Sequence, residues 1–225
     1  MPRPNHHGEQ TIMCGRFANH LQHLKDWSEI LGSWPDEVSG GYNVAPTQTV
    51  AAFVEDGGRA MRWGLIAPWA KEISSRYATF NARLESVAEK PAFRHAWRSS
   101  QRCLIPALGY YEWRGEKADK QPYFVHLESG QPMVFAGMYE PAREGGFPAS
   151  CTIITRPARG TLEALHPRTP AVLAPEQASA WFGESPDDVL RLLEEQAPPA
   201  AGFYPVDRAV NNARYDAPDC IDPLE

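Results

Sequence analysis

Five short stretches of this chain hold polar residues where an ordinary core would not. They are "CGRF" with Cys14 and Arg16, "YNVAPT" with Asn43, "FNARLE" with Asn81, Arg83 and Glu85, "GYYEW" with Glu112, and "LHPRTPAVL" with His166 and Arg168. Cys14 follows Met13 directly. A cysteine at a chain terminus carries a thiol and a free α-amine on adjacent carbons, a pair that no internal cysteine offers. Glu112 interrupts an aromatic run. Strand alternation puts Tyr110 and Glu112 on one face and Tyr111 and Trp113 on the other. On a solvated face Glu112 is inert; in a pocket among aromatics, desolvation raises its pKa and fits it for proton transfer. His166 titrates near neutral pH and is a candidate acid or base, although a lone histidine is more often structural. Arg16 and Arg83 can each clamp a phosphate, although surface ion pairs are the commoner fate of arginine.

The elements that position these groups have to come from 225 residues, 43% hydrophobic and 22% charged, which is an ordinary soluble composition with a sizeable core. The length fits one or two domains. No apolar run approaches the ~18 to 20 residues that span a bilayer, and residues 1–12 lack the apolar segment of a secretory signal. The expected location is therefore the cytoplasm, with no membrane partner. Cys14, Cys103, Cys151 and Cys220 form no CxxC and no zinc-finger spacing, so no metal and no cofactor is expected. Cys103 and Cys151 lie in apolar runs and read as small buried hydrophobes. The net charge is −6, yet residues 61–114 carry nine Lys/Arg against four Glu, a local excess of +5. Such a basic third allows an anion site or a solvated basic face.

Residues 1–12 read as a disordered leader, and residues 13–225 as one domain. "NHLQHLKDWSEILGSW" spaces Leu21, Leu24, Trp27 and Leu31 at helical steps, with Asn19 as cap and Gly32 as stop. "VAAFVE" and "RAMRW", joined through "DGG", read as a hairpin. "WGLIAPWA" suggests either an exposed aromatic surface around Pro68 or a packed corner. "RCLIPALGYYEW", "QPYFVHL" and "PMVFAGMYE" are read as three strands of an antiparallel meander. "CTIITR", "PAVLA" and "FYPVDRAV" add strands. "PEQASAWF" and "SPDDVLRLLEEQ" read as helices, the second with Ser185 at its N-cap and Pro186 at N1. Short strands dominate and helices are few, which predicts an α+β domain built on antiparallel sheet.

Together, nine ordered blocks carry a resemblance that no single motif could: "MCGRF", "YNVAPTQ", "RWGLIAPWA", "FNARLESVAEKPAFRHAWRSSQRCLIPALGYYEW", "QPYFVHL", "FAGMYE", "TIIT", "LHPRTPAVL" and "YPVDRAVNN". From Met13 to about Pro223 the chain resembles the SRAP family of abasic-site processing proteins. The resemblance implies a barrel-like fold of antiparallel sheets with a few peripheral helices, a monomer, and single-stranded DNA containing abasic sites as partner. In the cell it implies association with the nucleoid when bound to damaged DNA. It makes Cys14, exposed by loss of Met13, the nucleophile that forms a reversible thiazolidine with the abasic sugar. It also implies autopeptidase activity. Asn81 and Arg83 resemble the pair that holds the lesion and its phosphate, Glu112 the acid/base beside the amine, and His166 the group that opens the sugar ring and reverses the crosslink. Arg16 and Asn43 look like DNA contacts, and Trp63, Pro68 and Trp69 like an aromatic wedge or stacking surface.

The chain departs from the family pattern twice. His-Asp-Arg-Met-Pro reads His166-Pro167-Arg168-Thr169-Pro170, and twelve residues precede Met13. Either Met13 is the translation start or the leader is removed by self-cleavage. Two other functions fit the residues: a thiol hydrolase with Cys14 as nucleophile and His166 as base, and a single-strand binding module using the basic third without covalent chemistry.

Overall fold

The longest strands are buried at nearly every position rather than at every second one, so they have cover on both faces. A computed structural model supplies that cover and describes residues 14–20, 31–74, 77–116, 119–195 and 197–225. The leader and most of the helix expected after Asn19 lie outside the described residues. Twelve strands follow in chain order: β1 Phe17–Ala18, β2 Thr49–Val54, β3 Gly57–Trp63, β4 Asn81–Arg83, β5 Arg102–Ala107, β6 Gly109–Arg114, β7 Gln121–Leu127, β8 Met133–Glu140, β9 Ser150–Pro157, β10 Arg168–Pro170, β11 Val172–Leu173 and β12 Ala201–Pro205. All six residues of β5 are buried.

The strands form two sheets. The smaller runs β1-β6-β7-β12 and is antiparallel throughout. The larger runs β10-β9-β3-β2-β5-β8-β11, with β4 also on β9. Here β3 and β4 both pair with β9 in parallel, so the larger sheet is mixed. β8 also pairs with β9, which closes a circuit of pairings through β3, β2 and β5. The circuit is thin in its pairing, since the β2–β5 ladder is confined to Phe53 opposite Leu104. The fold is thus α+β and single-domain, but not a strict barrel.

Neighbouring residues of the larger sheet's strands feed two different cores. Ala51, Phe53, Leu104, Ala136 and Ile154 pack outward under the helices Arg94–Arg98, Ala178–Gly183 and Pro186–Glu195, against Trp97, Trp181, Val189 and Leu193. Val50, Ala52, Cys103, Ile105, Phe135 and Ile153 pack inward against the smaller sheet, where Phe17, Tyr110 and Val125 meet them. The far face of the smaller sheet is closed by the C-terminal segment, with Tyr111 and Phe124 against Val206, Val210 and Cys220. Cys103 and Cys151 are fully buried apolar fillers, as expected. The helix Pro186–Glu195 also starts as read: Ser185 Oγ accepts the Asp188 N–H at 3.3 Å and donates to the Asp188 carboxylate at 2.6 Å.

The expected meander is corrected. The run "RCLIPALGYYEW" is two strands, not one. The chain leaves the larger sheet after Ala107 and enters the smaller one at Gly109. β6 and β7 do form a hairpin, but β8 crosses back to pair with β5. Gly109 permits the first crossing. A Cβ there would lie 2.2 Å from the Val125 carbonyl and 2.5 Å from the Phe124 ring. Backbone cannot yield to such a contact cheaply, and the strand that glycine starts also carries Glu112. Gly109→Ala is expected to destabilise the protein by about 2–4 kcal/mol, measured by urea denaturation against wild type. An unchanged midpoint would show that the close approach is dispensable.

Candidate active site at the seam between the sheets

β1 has only two residues, and its register decides the site. Phe17 pairs with Tyr110 and Ala18 with Gly109. The Tyr111 N–H donates to the Arg16 carbonyl at 3.0 Å, which carries the pairing one residue further. Continued, it sets Gly15 opposite Glu112, with Cys14 one residue further on. The Cys14 main-chain N–H donates to Glu112 Oε1 at 2.7 Å. Tyr110, on the Glu112 face of β6, packs into the same inter-sheet core as Cys14. Alternation along "GYYEW" therefore held, and Glu112 is on the pocketed side rather than a solvated one, only 2% exposed.

The larger sheet supplies the other wall. β4 extends from beside β9 and places Asn81 next to the cysteine, with Asn81 Nδ2 donating to the Cys14 carbonyl at 3.3 Å. Arg83, two residues on, is exposed at the edge of that strand. His166 is buried just before β10. Its Nδ1 lies 3.2 Å from the Arg168 N–H and 3.1 Å from the Arg168 carbonyl, while Nε2 is buried with no hydrogen-bond partner among the described residues. Arg168 forks onto Glu85 with bonds of 2.6 and 2.8 Å and also donates to the Thr155 carbonyl at 2.8 Å. Thr169 reaches across the seam, its Oγ1 2.9 Å from the Tyr110 hydroxyl.

Burial sets the electrostatics. Desolvation pushes Glu112 up to about 8, against the pull of the Cys14 and Trp113 N–H groups and of Lys120. The Cys14 thiol is held well above its ordinary range, first by burial and then by the Glu112 charge. His166 is lowered, first by burial and further by the charges of Arg168 and Lys120, which favours the neutral ring. The geometry pairs a neutral thiol and a main-chain nitrogen with a carboxyl poised to exchange a proton near neutral pH.

Other expected site residues take different places. Trp63 is fully buried: it packs edge-on against Phe17 at 4.8 Å and donates to the Phe80 carbonyl at 2.9 Å. It supports the Cys14 segment from below and cannot form a surface wedge. Pro68 is half-buried, and Trp69 is 64% exposed, so those two remain at the surface. Asn43 is also a correction. It is 2% exposed; its amide donates to the carbonyls of Val210, Asn212 and Tyr215, and its Oδ1 accepts from Arg16. These bonds tie the C-terminal segment to the Cys14 loop, and they keep the Asn43 side chain inside the protein rather than on its surface. Half-buried Arg16 also donates to the Val210 carbonyl at 2.9 Å. Tyr110 and Thr169 escaped the sequence reading, because their contact spans two sheets. Among the described residues no cluster of His, Cys, Asp or Glu could hold a metal, and no helix is long and apolar enough to cross a membrane. A cavity of 380 Å³ beside Phe53, Leu104 and Phe182 lies apart from the site residues.

Residues 13–213 match the profile of the SOS response associated peptidase (SRAP) family. The chain belongs to the SRAP family. Among its relatives, the abasic site processing protein YoaM of Bacillus subtilis is 36% identical, with 93% of this chain and 98% of the relative covered. The abasic site processing protein YedK of Escherichia coli is 30% identical, with 94% of this chain and all of the relative covered. A crystal structure of a Bacteroides thetaiotaomicron protein shares the SRAP fold at a TM-score of 0.78 and 22% identity, covering 94% of this chain and all of that one.

Glu112 also leaves a signature on stability. Its folded pKa, about 8, lies above the ordinary 4.5, so the folded state binds the extra proton between those values. Its stabilising contribution is complete below about 4.5 and is lost as pH rises through about 8. Glu112→Gln removes this titration. Denaturation from pH 5 to 8.5 is expected to show the variant losing less stability with rising pH, a difference of about 2–4 kcal/mol across the range. Parallel profiles would contradict a buried, proton-retaining Glu112.

Proposed function

We propose that this protein binds abasic sites in single-stranded DNA and captures them as a reversible thiazolidine on Cys14. The observation that carries the reading is the buried Glu112 carboxyl 2.7 Å from the main-chain nitrogen of Cys14. Relatives along the whole domain that are named for abasic site processing support it.

The chemistry follows from the groups present. An abasic sugar opens to an aldehyde. The amine of a terminal Cys14, with an ordinary pKa of ~8, is partly neutral at pH 7 and adds to that carbonyl. The resulting carbinolamine loses water, and Glu112, itself near 8, protonates the departing hydroxyl. The Cys14 sulfur then adds to the imine carbon while its proton passes to the imine nitrogen, closing a five-membered ring. Sulfur and nitrogen belong to one residue, so this step is intramolecular and fast. Asn81 steadies the Cys14 carbonyl, and exposed Arg83 offers a fork for the neighbouring phosphate. The free Nε2 of neutral His166 serves sugar-ring opening and crosslink reversal. Exposed Trp69, with Pro68, offers a face on which unpaired bases stack, within the basic third of the chain.

The reaction requires that Met13 be gone. Cys14 has φ +29°, in the left-handed region that non-glycine residues avoid, and removing the preceding peptide bond frees that strain. The thiol hydrolase reading fits less well. A hydrolase needs an ionised thiol beside its base, whereas burial keeps this thiol protonated. His166 directs Nδ1 at the Arg168 main chain inside its own turn, with no bond to Cys14 among the described residues.

Purified protein incubated with single-stranded DNA carrying one abasic site should give a heat-stable shifted band on a denaturing gel. Intact DNA should give none. Cys14→Ala should abolish the band, Glu112→Gln should slow its appearance about 100-fold, and His166→Ala should slow release from the crosslink. An active preparation whose mass retained Met1 or Pro2 ahead of Cys14 would sink the proposal.

A further inference from the structure

The two sheets each hold half of the site. Cys14 and Glu112 belong to the smaller sheet, while Asn81, Arg83 and the His166 turn belong to the larger. Pairing within a sheet fixes neither half against the other. Thr169 sits opposite Arg156 in β9, which sets its place along the larger sheet but not across the gap. Side-chain hydrogen bonds cross the gap at the site, among them Asn81 to the Cys14 carbonyl at 3.3 Å and the Tyr110–Thr169 hydroxyl pair at 2.9 Å. The second is the shorter, and both of its partners are buried. Thr169 Oγ1 also lies 3.3 Å from the Pro170 carbonyl. The Thr169 proton can therefore go to that carbonyl and the Tyr110 proton to Thr169, so each hydroxyl proton has an acceptor. A phenylalanine would fill the same space, so the phenol oxygen is not needed for packing. Thr169 stands three residues after His166, on the strand that the His166 turn enters.

We infer that the Tyr110–Thr169 hydroxyl pair is a positioning device, setting the distance between the His166 turn and the Cys14–Glu112 pair. Among the described residues, neither hydroxyl hydrogen-bonds to Cys14, Glu112 or His166. The inference rests on the crosslinking chemistry proposed above, and concerns geometry that this chain builds with its own Thr169. It assigns the pair to the step that uses both walls at once, reversal of the crosslink, in which His166 must meet a ring held by Cys14.

The test uses Tyr110→Phe, Thr169→Val, both together, and Thr169→Ser, each with its melting temperature measured. Crosslink formation and reversal are followed on single-stranded DNA with one abasic site from pH 5.5 to 8.5. The groups facing Glu112 are Cys14, Tyr110 and Lys120, and those facing His166 are Arg168 and Lys120, all present in every variant except for the substituted Tyr110. Each single variant should reverse about tenfold more slowly, with a shifted pH profile. The double variant should be no slower than the worse single one, because both remove the same bond. Thr169→Ser, which keeps the hydroxyl, should come within about twofold of wild type. Folded single variants with wild-type reversal and an unmoved profile overturn the inference, as do effects that multiply in the double variant. If Thr169→Val does not fold, Tyr110→Phe carries the comparison. If wild type forms no crosslink, the function proposed above falls instead, and the pair is judged by NMR titration of His166 in the free protein. A midpoint that rises in both single variants supports the inference, and one that stays put overturns it.

Discussion

A buried carboxyl facing a main-chain nitrogen is the constraint on which this structure turns. A carboxylate enclosed among aromatic rings is costly unless it is neutralised or hydrogen-bonded. Glu112 meets both conditions, retaining its proton to about pH 8 and accepting the Cys14 N–H. That contact requires β6 to leave the larger sheet, and it requires a two-residue strand at the chain's start to hold a fixed register beside β6. The crossing at Gly109 and the pairing of Phe17 with Tyr110 are thus parts of one arrangement.

Much of what surrounds the cysteine is support. Trp63 backs Phe17, and Asn43 binds three C-terminal carbonyls while holding Arg16. Asp216 adds two more ties by accepting the N–H groups of Tyr42 and Asn43 at 2.5 and 3.0 Å. Residues of these types could all meet DNA on a surface; here burial assigns Trp63 and Asn43 to the scaffold. The reactive inventory is correspondingly small, and it lies where the sheets face each other.

The sequence made some of this readable. Alternation through Tyr110, Tyr111 and Glu112 placed the carboxylate on the correct face. Ser185 and Pro186 marked a helix start. The sheet change at Gly109 was not legible, because the close approach of Val125 and Phe124 is a property of the folded hairpin. Trp63 was misread although a signal existed. In β3, Met61 and Trp63 are buried while Ala60 and Arg62 are half-buried, so the tryptophan continues a strand's inward face. Trp69 lies past Pro68, beyond that alternation. The contact between Tyr110 and Thr169 joins residues 59 positions apart, and no local pattern encodes it. The resemblance to a family supplied the roles of the residues, but spacing alone could not say which were walls and which were tools.

The ties around Asn43 join the two ends of the chain. Arg16 and Asn43 lean on Val210, Asn212 and Tyr215, and Asp216 closes the arrangement. During synthesis the Cys14 segment leaves the ribosome well before these anchors, since Arg16 and Val210 stand 194 positions apart. The nascent polypeptide therefore cannot seat the Cys14 segment until residues 210–216 have emerged, and a product that stops short of them would lack every one of these ties.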